Sequence, residues 1–219
     1  FLLPALLNNT NQLILHIGDY TDRGPDSRGV IEFLVGGADQ PWINLYGNHD
    51  RMLLRFLEEK GGADPKLRTD LYWLHPRLGG DTTLRSYGVD VPDDLDSDHG
   101  ACMFDAARAA IPQAHVDFLG GLARSYHWRG FFFAHAGVQP GVPLDKQVED
   151  DLIWIRKPFH DSSADHGAII VHGHTPVDRV EDHGNRIAID TGAGYGKALT
   201  CTVFEANGGV RILGGERVR

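Results

Sequence analysis

The residues best suited to chemistry lie in four short segments, each directly after an apolar run. Leu13 to Ile17 is followed by Gly18-Asp19-Tyr20-Thr21-Asp22-Arg23-Gly24, and Trp42 to Tyr46 by Gly47-Asn48-His49-Asp50. Phe131 to Ala134 leads into His135-Ala136-Gly137, and Ile169 to Val171 into His172-Gly173-His174. Asp19, Asn48, His135 and His174 together offer one carboxylate, one amide oxygen and two imidazoles. This mixed oxygen and nitrogen set suits divalent Mn, Fe or Zn and matches Ca poorly, because Ca prefers oxygen ligands alone. A carboxylate such as Asp19 can also bridge two ions. With Asp22 and Arg23 in the same loop, the segment provides for a cation and an anion side by side.

A short apolar run closed by glycine and an acid reads as a buried strand that hands a carboxylate to a loop. In open α/β sheets the carboxyl ends of strands are where ligands bind, so four such endings imply one shared site. Between the first two, Asp26 and Ser27 cap a helix expected from about residue 28 to 34. Asp50 is placed to cap the next helix, in which Met52, Leu53, Phe56 and Leu57 recur at helical spacing before Gly61 and Gly62 stop it. Residues 1–9 also read as helix. The alternation is that of a layered α/β protein.

From about 63 to 122 the pattern changes to a mostly helical insertion with a polar loop at 90–100, in a position to select substrate. Strands are expected again at 130–134, 168–171, 187–189, 199–204 and 210–213, the last three close enough for antiparallel pairing. One domain over 1–219 is the expected organisation.

A net charge of −9 argues against general nucleic-acid binding, leaving small phosphates or phosphorylated side chains as better-matched partners. No apolar run reaches the length of a bilayer span. Cys102 and Cys201 are the chain's two cysteines, too few for a disulfide framework or a cysteine metal site, and a cytoplasmic location is expected.

Each site residue also has an ordinary role open to it. Asp19 fits a turn, Asn48 and His49 a tight turn, His135 a core position after three phenylalanines, and Arg23 an ion pair with Asp22. Asp50 reads as a cap rather than a catalyst, and His172 as a supporting or structural residue. His75, His99, His115 and His166 are expected to be exposed. The stretch Gly192 to Lys197 lacks the spacing and the final Ser or Thr of a Walker loop. Its Tyr195 is open to either an approach to the site or simple packing.

Gly18-Asp19, Asp22-Arg23-Gly24, Gly47-Asn48-His49-Asp50, His135-Ala136-Gly137 and Gly173-His174-Thr175-Pro176 stand in the order of a known signature. It resembles that of the calcineurin-like metallophosphoesterases, most nearly the bacterial phosphoprotein phosphatases, and Pro140 to Pro143, Asp151 to Arg156 and Asp190 to Ala193 extend the likeness. The resemblance implies a β-sandwich of mixed sheets flanked by helices, with a dinuclear metal site at strand ends. Asp19 is then the carboxylate bridging two divalent ions, Mn foremost with Fe or Zn as alternatives, and Asn48, His135 and His174 complete the second ion's ligands. His49 is the imidazole that protonates the leaving oxygen, Asp22 the acid that orients it, and Arg23 and Arg156 the guanidiniums that grip phosphate. Hydrolysis by direct attack of a metal-bridging hydroxide is implied.

The substrate expected is a phosphoserine, phosphothreonine or phosphotyrosine side chain, with dinucleoside polyphosphates as the alternative. A catalytically impaired phosphate-binding or scaffold protein is a second alternative. It rests on one departure: the family's Asp-x-His, which supplies ligands to the first metal, has no match in this chain. That motif is expected just upstream of Phe1, in a chain that is truncated or cleaved, and His16 is not a substitute because it lies within its strand. As it stands, the chain is expected to hold the second ion better than the first.

Overall fold

The computed structural model describes residues 12–58, 62–93, 102–213 and 218. Strands β1 (Ile14–His16) and β2 (Trp42–Asn44) pair in parallel, Ile14 opposite Trp42 and His16 opposite Asn44. Helix α1 (Ser27–Gly36) joins them, and the Asp26 carboxylate accepts from the Gly29 N–H at 2.9 Å, the cap its sequence predicts. Helix α2 runs Asn48–Glu58, so Asp50 lies inside its first turn rather than ahead of it. Asp50 still caps, reaching back to accept the Gly47 N–H at 2.9 Å.

A five-stranded sheet forms the centre. Its order is β3 (Tyr126–Trp128), β4 (Phe131–Phe133), β5 (Ile169–His172), β7 (Arg186–Ala188) and β6 (Glu181–Asp182), with β4, β5 and β7 parallel. A hairpin of β8 (Thr202–Phe204) and β9 (Val210–Ile212) stands beside it. The expected antiparallel pairing of the last three strands therefore holds only for β8 and β9. Strand β7 sits between β5 and β6, and β6 is two acidic residues with no apolar alternation to announce it.

Residues alternate across the central strands. Phe131 and Phe133 pack with Leu45, Val171, Ile187 and Val210, and Phe204 meets both rings edge-on at 5.0 and 5.1 Å. Phe132, Ala134 and Ile170 face the other way, into a larger core with Ile153 and Phe159. The result is the expected sandwich of mixed sheets with helices on its flank.

The insertion begins with turns and continues as α3 (Gly80–Ser86), α4 (Met103–Ala110) and α5 (Gln113–Gly120). Helix α1 packs on α3 and α5, and α2 on α4 and α5. His115 of α5 is buried, against expectation, with its Nδ1 2.8 Å from the Tyr87 hydroxyl. His75 and His166 are partly buried rather than exposed. The helix expected over 1–9, the stop at Gly61, His99 and most of the polar loop lie outside the described residues. Among the described residues no helix is long and apolar enough to cross a membrane.

One buried ion network fixes α2 against the elements around it. Arg51 is 6% exposed and forks onto Asp64 at 2.7 and 3.1 Å, while its Nη1 reaches Glu149 at 3.1 Å and Asp150 at 2.6 Å in helix α6 (Glu149–Trp154). Removing one member of a buried pair leaves the other charged and desolvated. Arg51→Met is therefore expected to lower unfolding stability by about 3–5 kcal/mol in chemical denaturation. Adding Asp64→Leu to that variant is expected to recover part of the loss, because it removes a buried carboxylate that Arg51→Met leaves with only the longer Arg55 contact at 3.7 Å.

Candidate active site

Asp19, Asn48, His135 and His174 follow β1, β2, β4 and β5, at the carboxyl ends of parallel strands. The structure brings all four together. Asp19, His135 and His174 each offer a ligand atom within 4.8 Å of the others. The Asn48 Oδ1 lies 2.8 Å from His174 Nδ1 and 3.1 Å from His135 Nε2.

The loops are tied to one another through the backbone. The Asp50 carboxylate accepts from the Asp19 N–H at 3.0 Å and the Tyr20 N–H at 2.9 Å, besides that of Gly47. Asp19 Oδ1 accepts from the His49 N–H at the start of α2, at 3.0 Å, where the helix N-terminus favours an anion. Gly47 is required for this approach, because a Cβ there would collide with the Asp19 carboxylate and backbone nitrogen. Asp19, Asp22, Arg23 and His174 all have φ between 60° and 73°, a left-handed conformation that non-glycine residues keep only when their surroundings impose it.

The donor set fits a cation. His135 Nδ1 lies 2.8 Å from the Ile17 carbonyl oxygen, which places the proton on Nδ1 and leaves the Nε2 lone pair facing Asn48 Oδ1 and Asp19 Oδ2, the latter at 3.3 Å. A neutral His135 thus turns a third acceptor toward these two oxygens, and either a second proton on Nε2 or a bound cation relieves the repulsion. The titrations carry the same message. Burial alone would raise the Asp19 carboxyl, yet the neighbouring His135, His49 and His174 hold it well below the usual carboxylate range. Burial works against a charged His135, and the Asp19 carboxylate overrides it and raises that imidazole. His174 is pushed well down, by burial first and by His135 second. Asp50 rises to about 7, through burial and the charge on Asp19. These donors would accommodate a divalent ion of the Mn, Fe or Zn kind.

His49 is buried beside this cluster with its Nδ1 2.6 Å from Asp22 Oδ2. Asp22 is itself held from the insertion, a contact that sequence reasoning missed. Trp73 Nε1 donates to its carboxylate at 3.0 Å, and the Thr83 hydroxyl donates to Oδ1 at 2.8 Å while accepting the Asp22 N–H at 2.8 Å. The adjacent glycines Gly79 and Gly80, which mark a close approach of backbone, were the available signal. Arg23 does not pair with Asp22, and among the described residues no carboxylate pairs with it. Its guanidinium lies over the Tyr195 ring, 4.8 Å from the centroid. Arg156 is exposed and donates from Nε to His174 Nε2 at 3.2 Å, with Trp154 edge-on to the same imidazole at 6.0 Å. His172 is not among the donors. It is buried against Phe159 and His160, where desolvation lowers it to about 3.

Comparison with known proteins agrees with this geometry. The profile of the calcineurin-like phosphoesterase family matches residues 2–215. Bis(5'-nucleosyl)-tetraphosphatase PrpE [asymmetrical] of Geobacillus thermodenitrificans (strain NG80-2) is 27% identical over 200 residues, spanning 84% of this chain and 72% of that protein. Serine/threonine-protein phosphatase 1 of Salmonella typhimurium (strain LT2) is 29% identical over 205 residues, spanning 86% and 76%. A crystal structure assigned provisionally to a diadenosine tetraphosphatase superposes with a TM-score of 0.65 at 19% identity, covering 96% of this chain and 84% of its own. A profile match over nearly the whole length, on a fold whose strand ends gather these donors, means that the chain belongs to the calcineurin-like phosphoesterase family of metal-dependent phosphoester hydrolases.

Proposed function

We propose that this chain hydrolyses phosphomonoesters on protein side chains, with phosphoserine and phosphothreonine preferred and phosphotyrosine accepted. The observation that carries this reading is the buried His49–Asp22 pair at the edge of the donor cluster, with Arg23 next to Asp22 in the chain and Arg156 3.2 Å from His174. Neither guanidinium has a carboxylate partner among the described residues, and two of them match the two charges of a monoester.

Asp19, Asn48, His135 and His174 would hold a divalent ion. When bound, such an ion supplies Lewis acidity toward the phosphoryl oxygens and makes water a stronger nucleophile near neutral pH. Asp22 fixes the orientation and tautomer of the His49 ring by accepting from Nδ1, which leaves Nε2 as the nitrogen that exchanges a proton with the departing oxygen. Trp73 and Thr83 keep the Asp22 carboxylate from turning away. Arg23 and Arg156 bind and orient the phosphoryl group.

A second reading is hydrolysis of dinucleoside polyphosphates, favoured by the name of the Geobacillus relative. A tetraphosphate bridge carries more charge than two arginines neutralise, and this places it second. With the same metal ion, a phosphoserine or phosphothreonine peptide is expected to turn over at least tenfold faster than diadenosine tetraphosphate. The opposite ranking would transfer the assignment to the nucleotide substrate.

The roles separate by metal content. Metal analysis after dialysis is expected to find His49→Asn loaded like the parent but slowed at least 100-fold, whereas Asn48→Ala and His174→Ala lose metal. Equal metal loss in all three would refute the division. Thr83→Val is expected to lower turnover roughly tenfold with metal retained, and Thr83→Ser to restore it, since a hydroxyl at that position is all that Asp22 needs.

A further inference from the structure

Arg23 lacks the ion pair that would normally hold a guanidinium. Among the described residues no carboxylate reaches it, and its Nε is buried with no hydrogen-bond partner. Its backbone is nevertheless fixed. The Arg23 N–H meets the Gly79 carbonyl at 3.4 Å, and Gly79 itself stands at φ +88° so close that a Cβ there would collide with the Arg23 nitrogen. The main chain thus starts the side chain from one point, but its long stem remains to be placed.

What places it is the turn Ala193–Tyr195, beyond β7. The Arg23 Cζ lies 4.8 Å from the centre of the Tyr195 ring, and a Cβ on Gly194 would come within 3.7 Å of the Arg23 stem. Tyr195 is 61% exposed, so the ring contributes little to the core and its presence on that turn is not explained by packing. A cation–ring contact takes up none of the guanidinium N–H donors, whereas a carboxylate partner would occupy some of them and cancel the charge.

We propose that Tyr195 is a positioning residue: its ring holds the Arg23 guanidinium ready for the phosphoryl group without neutralising it. This rests on the reading of Arg23 as a phosphate contact. The contribution comes from the aromatic face and not from the hydroxyl, so it separates from bulk and from hydrogen bonding. Pre-alignment of this kind acts on anion affinity by removing the cost of ordering a long side chain on binding.

The test uses the zinc-loaded chain and inorganic phosphate as the probe, with affinity measured by titration calorimetry. Tyr195→Phe is expected to keep the parent affinity. Tyr195→Leu, which retains bulk without the ring quadrupole, and Tyr195→Ala are both expected to weaken it roughly two- to fivefold. The Arg23 Nε–H resonance, identified by its absence in Arg23→Lys, should carry a ring-current shift in the parent and the Phe variant and lose it in the Leu variant. Parent-like affinity in the Leu variant, weakening in the Phe variant, or no change of the Arg23 resonance would each overturn the proposal. Phosphate affinity reads this role and ester turnover reads the hydrolytic assignment, so the two can fail separately.

Discussion

The site depends on one buried carboxylate that makes no claim on substrate. Asp50 collects the N–H groups of Asp19, Tyr20 and Gly47, which come from two different strand ends, onto two oxygen atoms. The Gly47 N–H, buried with Asp50, would otherwise lack a partner at a cost of about 1–3 kcal/mol. Asp19 is held there in a left-handed backbone conformation, with its carboxylate across the start of α2. His135 extends the tie to the central sheet through the Ile17 carbonyl. A cluster of oxygen and nitrogen donors is thereby assembled before any cation arrives.

A second layer of support comes from elsewhere in the chain. The insertion was expected to select substrates, and its visible contribution is to orientation: Trp73 and Thr83 hold Asp22, and Gly79 holds the backbone of Arg23. Arg51 then locks α2, the helix that carries Asn48 and His49, to Asp64 and to the start of α6. Of the groups placed to touch substrate, His49 stands in the first turn of α2 and Arg23 and Arg156 on loops, and each is held by contacts beyond its own segment.

Much of this could be read from the sequence, and the reason is geometric. Asp19, Asn48, His135 and His174 each follow a short apolar run, and parallel pairing brings such endings together in twos, Asp19 with Asn48 on the β1–β2 pair and His135 with His174 on the five-stranded sheet. The same local logic anticipated α1 and its Asp26 cap. What escaped has no local signature. Trp73 and Thr83 act on a residue 51 and 61 positions away, inside a segment without clear periodicity. Arg51 sits where an amphipathic helix would show a polar face to water, and only the fold surrounds it with Asp64, Glu149 and Asp150. His115 is polar by type yet buried, because Tyr87 supplies its partner. Strand β6 is two acidic residues, and only its neighbour β7 makes it a strand.

The convergence of donors is the claim on which the rest stands, and crystals of the manganese-loaded protein test it most directly. Anomalous scattering recorded at the manganese edge should give a peak bounded by Asp19, Asn48, His135 and His174. An empty site there at saturating manganese, or a dominant peak at some other group of side chains, would contradict the account.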